Sequence, residues 1–294
     1  MAGRFGTVLT AMATPFLPDG SLDLPGAERL ADHLAANGSD GLVVAGSTGE
    51  APTLRRDEKD ALFRAVVGAV SGRAQVVCGT GTNDTAESIE LTRLAAAAGA
   101  DGILLVTPYY NRPPQRGLVE HFRAVAAAAD LPAMLYNVPG RTATRIDHAT
   151  LLALLGTGTI VAVKDSTGDL QAASRLAAEL PDGAELYCGD DWAAFAMACL
   201  GAVGVVSVAS HLVGAPIARM FAHVEAGRLA EARAIHRDLT PLFDALFVTS
   251  NPMPLKAALA AVGLPGGAPR APLLPATDAE RATVEEALRG VGLL

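Results

Sequence analysis

The sequence predicts a (β/α)8 TIM barrel carrying a C-terminal helical extension, and three observations support that reading. Apolar runs of strand length alternate with stretches of helical periodicity, eight steps in roughly the first 225 residues. The runs are apolar throughout instead of alternating with polar residues, as in parallel strands covered by helices on both faces. The sharpest of them, Thr159-Ile-Val-Ala-Val-Lys164-Asp165-Ser166, ends abruptly in a lysine, at the strand end where barrels of this kind place their chemistry. An open doubly wound sheet is the competing architecture, and eight alternations count against it.

In chain order, residues 6–14 read as the first strand. The turn Pro18-Asp19-Gly20 follows, then a helix capped near Asp23 with Ala27, Leu30, Ala31 and Leu34 on one face and Gly38 as its stop. Further strands fall at 40–45, 75–78, 102–106, 133–136, 159–166, 184–187 and 203–207. Between them lie a helix with Leu62, Ala65, Val66, Ala69 and Val70 at helical spacing, helices at 86–98, 117–129, 147–155, 170–180 and 192–200, and an eighth beginning near Pro216. The catalytic barrel is expected to span 1–227. Residues 228–294 form the extension, with helices at 229–247, 254–262 and 278–290 and an irregular Pro- and Gly-rich connection at 263–275.

Half of the 294 residues are apolar, ample for a large core, and no linker divides the chain. A net charge of -8 argues against nucleic acid or an anionic membrane as partner. The stretch from Met1 to Pro15 lacks the apolar centre of a signal peptide, and no run of about 18 apolar residues suggests a membrane span. Cys78, Cys188 and Cys199 are odd in number and lack metal-ligand spacing, which points to reduced thiols in a cytoplasmic protein, without a disulfide frame or a zinc site.

The chemistry centres on Lys164. Desolvation by apolar neighbours favours an uncharged amine, and an uncharged amine attacks carbonyl compounds. The chain has three lysines, Lys59, Lys164 and Lys256, among 23 basic residues, so arginine serves elsewhere, and arginine cannot form a Schiff base. The plainer alternative is a strand-end ion pair with Asp165 or another acid. Gly46-Ser-Thr-Gly-Glu50 offers two hydroxyls and loop amides suited to a carboxylate, but without a following Lys-Ser/Thr it is no phosphate loop. Gly79-Thr-Gly-Thr-Asn83 lacks the third glycine of a dinucleotide fingerprint, which disfavours a nicotinamide cofactor. Tyr109, Tyr110 and Tyr136 lie at the strand ends beside the lysine, where a packed ring is the ordinary reading of each alone. Tyr136 is placed to shuttle protons, and the fork of Arg141 suits a carboxylate, with a surface ion pair as its alternative.

Six motifs in order, Gly46-Ser-Thr-Gly-Glu50, Thr107-Pro-Tyr-Tyr-Asn111, Tyr136-Asn-Val-Pro-Gly-Arg-Thr142, Val163-Lys-Asp-Ser166, Cys188-Gly-Asp-Asp191 and Asn251-Pro-Met-Pro-Leu-Lys256, resemble the dihydrodipicolinate synthases of the pyruvate-dependent aldolase superfamily. The resemblance runs over nearly the whole chain. It implies a lyase of lysine and diaminopimelate biosynthesis in which Lys164 forms a Schiff base with pyruvate and the enamine attacks aspartate 4-semialdehyde, without metal or organic cofactor. It implies a hydroxyl relay of Tyr136, Ser47 and Tyr110, the last supplied across a dimer interface, in a homotetramer built from dimers. Thr48 would bind the pyruvate carboxylate and Arg141 that of the semialdehyde. Most such synthases carry threonine at Ser47; serine keeps the hydroxyl and loses the methyl, and the sialic acid lyase branch shares it. Asn83, Glu87 and Tyr109 match a lysine feedback site of part of the family, whereas Ala51, Arg56 and Lys59 depart from it, two of them adding cations, so weak or absent lysine inhibition is expected. An N-acetylneuraminate lyase, a sugar-acid aldolase or a keto-acid-binding barrel without turnover are the alternative functions.

Overall fold

A computed structural model describes residues 3–294. In chain order the elements are β1 (Val8–Ala11), α1 (Leu24–Ala36), β2 (Gly41–Val44), α2 (Arg56–Val70), β3 (Gln75–Gly79), α3 (Thr85–Ala98), β4 (Gly102–Val106), α4 (Gln115–Ala126), β5 (Ala133–Asn137) and α5 (Pro139–Thr142). They continue with α6 (His148–Leu154), β6 (Ile160–Asp165), α7 (Leu170–Glu179), β7 (Glu185–Cys188), α8 (Ala194–Cys199), β8 (Gly204–Ser207) and α9 (Ser210–Glu225). Helices α10 (Leu229–Ala245), α11 (Met253–Ala261) and α12 (Asp278–Gly290) complete the chain. The strands pair in sequence order, all parallel, and β8 returns to β1 to close the barrel. This is the TIM barrel that the alternation of patterns predicts.

Strand parity divides the apolar residues between two cores. Leu9, Val43, Val77, Leu104, Met134, Ala162 and Val206 point inward and fill the barrel with Phe5 and Tyr187. Their neighbours Val8, Leu42, Val44, Val76, Ile103, Leu105, Leu135, Val163 and Val205 point outward into a larger core beneath the helices. Helix α1 shows how the sequence directs this packing. The Asp23 carboxylate caps it by accepting from Gly26 N at 2.9 Å, and the predicted face of Ala27, Leu30, Ala31 and Leu34 is buried. Burying each such leucine contributes about 1.5–3 kcal/mol, so two charges on that face would detach the helix. Helix α12 starts on a capping box in which Thr277 N donates to Glu280 Oε2 at 2.7 Å. It packs on α10 and α11, and α10 packs on α9.

One local reading is corrected. The eighth barrel helix begins at Ser210, well before the expected start near Pro216. Val208 N and Ala209 N donate to the Asp191 carboxylate and Ser210 N donates to Ser207 Oγ, so the donors of the first turn already have partners. Val213, at φ -132° and ψ 36°, then breaks the helix, and Pro216 falls in the opening turn of the second segment, where a missing N–H costs least. Helix α5, absent from the elements expected above, is a single turn that opens on Pro139.

Candidate active site

Strand parity also aims the central lysine. Lys164 is two residues beyond Ala162 on β6, Tyr136 is two beyond Met134 on β5, and the register sets Tyr136 beside Lys164. Both are buried, 6% and 5% exposed, and Lys164 Nζ lies 4.0 Å from the centroid of the Tyr136 ring. The Tyr136 carbonyl accepts from Thr107 N at 3.1 Å and Thr107 Oγ1 at 2.9 Å, which fixes the backbone carrying the ring. No carboxylate comes within ion-pair distance of Lys164 among the described residues. The strand-end ion pair considered from the sequence is therefore not formed.

Acids do surround the amine at longer range. Burial raises Asp190, and the positive charge of Lys164 works against that shift. Burial likewise raises Asp191, against hydrogen bonds from Ser207, Ala209 and Val208 and the charge of Lys164. Asp165 is raised by burial and held back by the Thr167 amide and hydroxyl. Gly189 gives the lysine its space: a Cβ there would stand 1.9 Å from Ser166 Oγ and 3.0 Å from Lys164 Cε.

The second part of the site is the turn after β2. Ala45 (φ 52°) and Glu50 (φ 56°) bracket Gly46-Ser-Thr-Gly in left-handed conformations, and Glu50 N donates to Ser47 O at 3.1 Å. The turn packs so tightly on β3 that a Cβ at Gly79 would lie 2.2 Å from the Ala45 carbonyl oxygen. Thr14 Oγ1 holds it from the β1 side by donating to Gly49 O at 2.7 Å. From the far end of the chain, Asn251 Nδ2 donates to Thr48 Oγ1 at 2.8 Å and Lys256 Nζ pairs with Glu50 Oε1 at 2.6 Å.

A cavity of about 380 Å³ opens above these strand ends, with Ser47, Tyr109, Tyr136, Arg141, Asn251 and Lys59 in its wall. Lys164 and Thr48 do not line it: Lys164 meets it through Tyr136, and Thr48, 3% exposed, is buried within the turn between the lining residues Ser47 and Glu50. Arg141 is exposed on α5 and has no ion-pair partner among the described residues, so its fork is free for a ligand. Its loop is clamped by Asn137, whose Oδ1 accepts from Ile146 N at 3.0 Å and whose Nδ2 donates to Ile146 O at 3.3 Å.

Three predicted residues stand elsewhere. Tyr110 is 91% exposed, with φ 72°, and lies outside the cavity wall of its own chain. Glu87 pairs with Arg56, and the Asn83 carbonyl accepts from Asn111 Nδ2 at 2.8 Å; neither lines the cavity. Tyr109 does, with its hydroxyl raised by burial. Sequence reasoning assigned no role to Glu50, Asn251 or Arg270, although the first two stand in quoted motifs. The signal available was an acid closing a Gly-Ser-Thr-Gly turn that carries no cation of its own.

The arrangement suits covalent carbonyl chemistry: a buried amine against a phenol, a hydroxyl-bearing turn, and an unpaired guanidinium across a cavity sized for two small acids. The sequence profile of the Dihydrodipicolinate synthetase family matches residues 4–290. A 4-hydroxy-tetrahydrodipicolinate synthase of Moorella thermoacetica is 51% identical over 291 residues, covering 99% of this chain and 100% of that one. The structure of the synthase from Cyanidioschyzon merolae with lysine bound is 46% identical and covers 99% of this chain and 100% of its own, with a TM-score of 0.97. The chloride-inhibited synthase from Acinetobacter baumannii complexed with pyruvate is 36% identical and covers 99% and 100% of the two chains, with a TM-score of 0.96. With the barrel, the buried lysine and the matched motifs in agreement over the whole chain, this protein belongs to the dihydrodipicolinate synthetase family.

Proposed function

We propose that this chain is a 4-hydroxy-tetrahydrodipicolinate synthase, a lyase of the class I aldolase kind serving lysine and diaminopimelate biosynthesis. The Lys164 amine adds to the keto carbon of pyruvate and water leaves, giving an imine. Loss of a methyl proton makes the enamine, whose carbon attacks the aldehyde of L-aspartate 4-semialdehyde. The amino group of that substrate then displaces Lys164 and closes the ring. Tyr136, with Ser47, carries the protons, a contribution of roughly 10² to 10⁴ in rate for a well-placed group. Thr48 binds the pyruvate carboxylate and Arg141 that of the semialdehyde.

The observation that carries this reading is the Lys164 amine 4.0 Å over the Tyr136 ring, buried and without an ion-pair partner among the described residues. The unpaired Arg141 in the cavity wall favours a short carboxylated aldehyde over the polyol of a sugar-acid aldolase. The imine does the electronic work, so the reaction requires no metal or organic cofactor. The exposure of Tyr110 suits its delivery to a second copy of the chain, in a homotetramer of dimers. The protein acts in the cytoplasm, where three unbridged thiols remain reduced. Lysine inhibits weakly or not at all, because Arg56 already occupies Glu87 and Lys59 adds a cation to the wall beside Tyr109.

The test is borohydride reduction with pyruvate followed by mass spectrometry, together with turnover of the semialdehyde. A pyruvate adduct on the Lys164 peptide and multiple turnovers are expected. An adduct on Lys59 or Lys256 instead, or no turnover, would refute the assignment.

A further inference from the structure

The Thr48 hydroxyl has one proton and two lone pairs, and its only partner among the described residues is Asn251 Nδ2, which donates to it. Its own proton therefore remains available to an acceptor in the site. If the amide presented its oxygen instead, the hydroxyl proton would be consumed within the protein. Asn251 thus decides whether Thr48 faces a substrate as a donor. Asn251 is itself 5% exposed, lines the cavity, and keeps Oδ1 buried without a partner, a cost that persists where a group has another role.

The placement of Asn251 is fixed from both sides. One turn into α11, Lys256 Nζ forms its 2.6 Å pair with Glu50 Oε1, with both side chains at most 2% exposed, and donates to Ala268 O at 3.2 Å. Glu50 Oε2 accepts from Arg270 N at 2.8 Å. Arg270 reaches onward to Gly20 O and Thr53 O, each at 2.8 Å, and to both oxygens of Glu58. Both cations lie over the Phe16 ring, Lys256 Nζ at 4.3 Å and the Arg270 guanidinium carbon at 4.2 Å from its centroid. The ends of one catalytic turn, Thr48 and Glu50, are thereby tied to one short segment of the C-terminal extension.

We propose that Asn251, anchored by the Glu50–Lys256 pair, is a positioning residue that sets the Thr48 hydroxyl as a hydrogen-bond donor to the carboxylate of the keto-acid substrate. The proposal rests on the function proposed above and adds to it a role for the C-terminal extension in binding the first substrate.

A double-mutant cycle tests it, read as pyruvate KM, kcat and the pyruvate dependence of borohydride trapping. Thr48→Val and Asn251→Ala are each expected to raise pyruvate KM about tenfold, the value of one hydrogen bond to a charged group, with kcat within about threefold of the parent. The double variant should match Thr48→Val alone, because Asn251 acts through that hydroxyl. Asn251→Asp keeps the shape but only accepts, so it should raise KM further than Asn251→Ala. A double variant weakened about a hundredfold, or an Asn251→Asp protein with parental KM, overturns the proposal. Thermal melts accompany each variant, and if Asn251→Ala fails to fold, the isosteric Asn251→Asp carries the same cycle. A parent that traps pyruvate on Lys164 while the cycle is additive refutes the positioning role alone; a parent that traps none refutes both readings.

Discussion

Lys164 and Lys256 form a natural experiment within one chain. Both are buried, 6% and 2% exposed, and both place Nζ over an aromatic ring, at 4.0 Å from Tyr136 and 4.3 Å from Phe16. They differ in their partners. Glu50 Oε1 stands 2.6 Å from Lys256, whereas Lys164 has no carboxylate at that distance among the described residues and lies against the cavity's Tyr136 wall. Burial pulls Lys256 down from its ordinary value and the Glu50 charge pushes it back. Burial alone therefore does not make a nucleophile. The absence, among the described residues, of a carboxylate at ion-pair distance, together with contact with the cavity's Tyr136 wall, separates the lysine suited to an imine from the one that fastens two segments together.

The largest effect expected from this contrast is on chemistry. Lys164→Ala should abolish trapping of pyruvate and lower kcat by about 10⁴ or more, with a far-UV spectrum and urea midpoint close to the parent. A variant that turns over at the parental rate would collapse the distinction. Lys256→Met should do the reverse. It leaves Glu50 buried and unpaired, costing about 3–5 kcal/mol in urea unfolding, while pyruvate is still trapped on Lys164, with weaker affinity. Adding Glu50→Gln should restore part of that stability, since the stranded charge is removed as well; no recovery would show that packing, not charge, is what Lys256 supplies.

A third buried base sharpens the comparison through pH. His211 Nε2 accepts from Ala13 N at 3.0 Å and its Nδ1–H donates to Val208 O at 2.8 Å, so both nitrogens are committed in the neutral form. Burial depresses it to about 4, against a partly compensating bond to Val208. The folded value lies below the unfolded value near 6.5, so the unfolded chain binds the extra proton. The contribution of this group is present above about pH 6.5 and lost as pH falls towards 4, by about 3 kcal/mol. Urea titrations over that range should show the loss, and His211→Gln should flatten it. The smallest effect is at Gly189→Ala, where the new methyl meets Ser166 Oγ and Lys164 Cε. The rate of borohydride-trapped imine formation should drop about ten- to a hundredfold through displacement of the amine, and an unchanged rate would mean that the lysine tolerates the shift.

The elements legible in the sequence are those whose signals are local. The apolar run ending in Lys164 marked β6, and parity along it turned the amine inward; Asp23 and the leucine face marked α1. Pro216 misled because a proline near a helix start ordinarily marks the first turn, and here that turn follows a break at Val213. The ties around Glu50 were beyond reach for a different reason. Asn251 and Thr48 are 203 residues apart, and Arg270 and Glu58 are 212 apart, with no periodicity to connect them. Tyr110 illustrates the remaining limit: it is 91% exposed and stands outside the cavity wall, and the role proposed for it requires a second copy of the chain.

The belt through Phe16 has a consequence for how the protein is made. Synthesis delivers Glu50 and Glu58 early, but their cationic partners much later, Arg270 212 residues after Glu58. Until then a nascent barrel holds two acids whose neutralising charges have not left the ribosome, and its Thr48 hydroxyl has no Asn251 to orient it. The proposed competence to bind substrate is thereby coupled to synthesis of residues 251–270, and a product released before that segment would be less stable and would hold its first substrate more weakly.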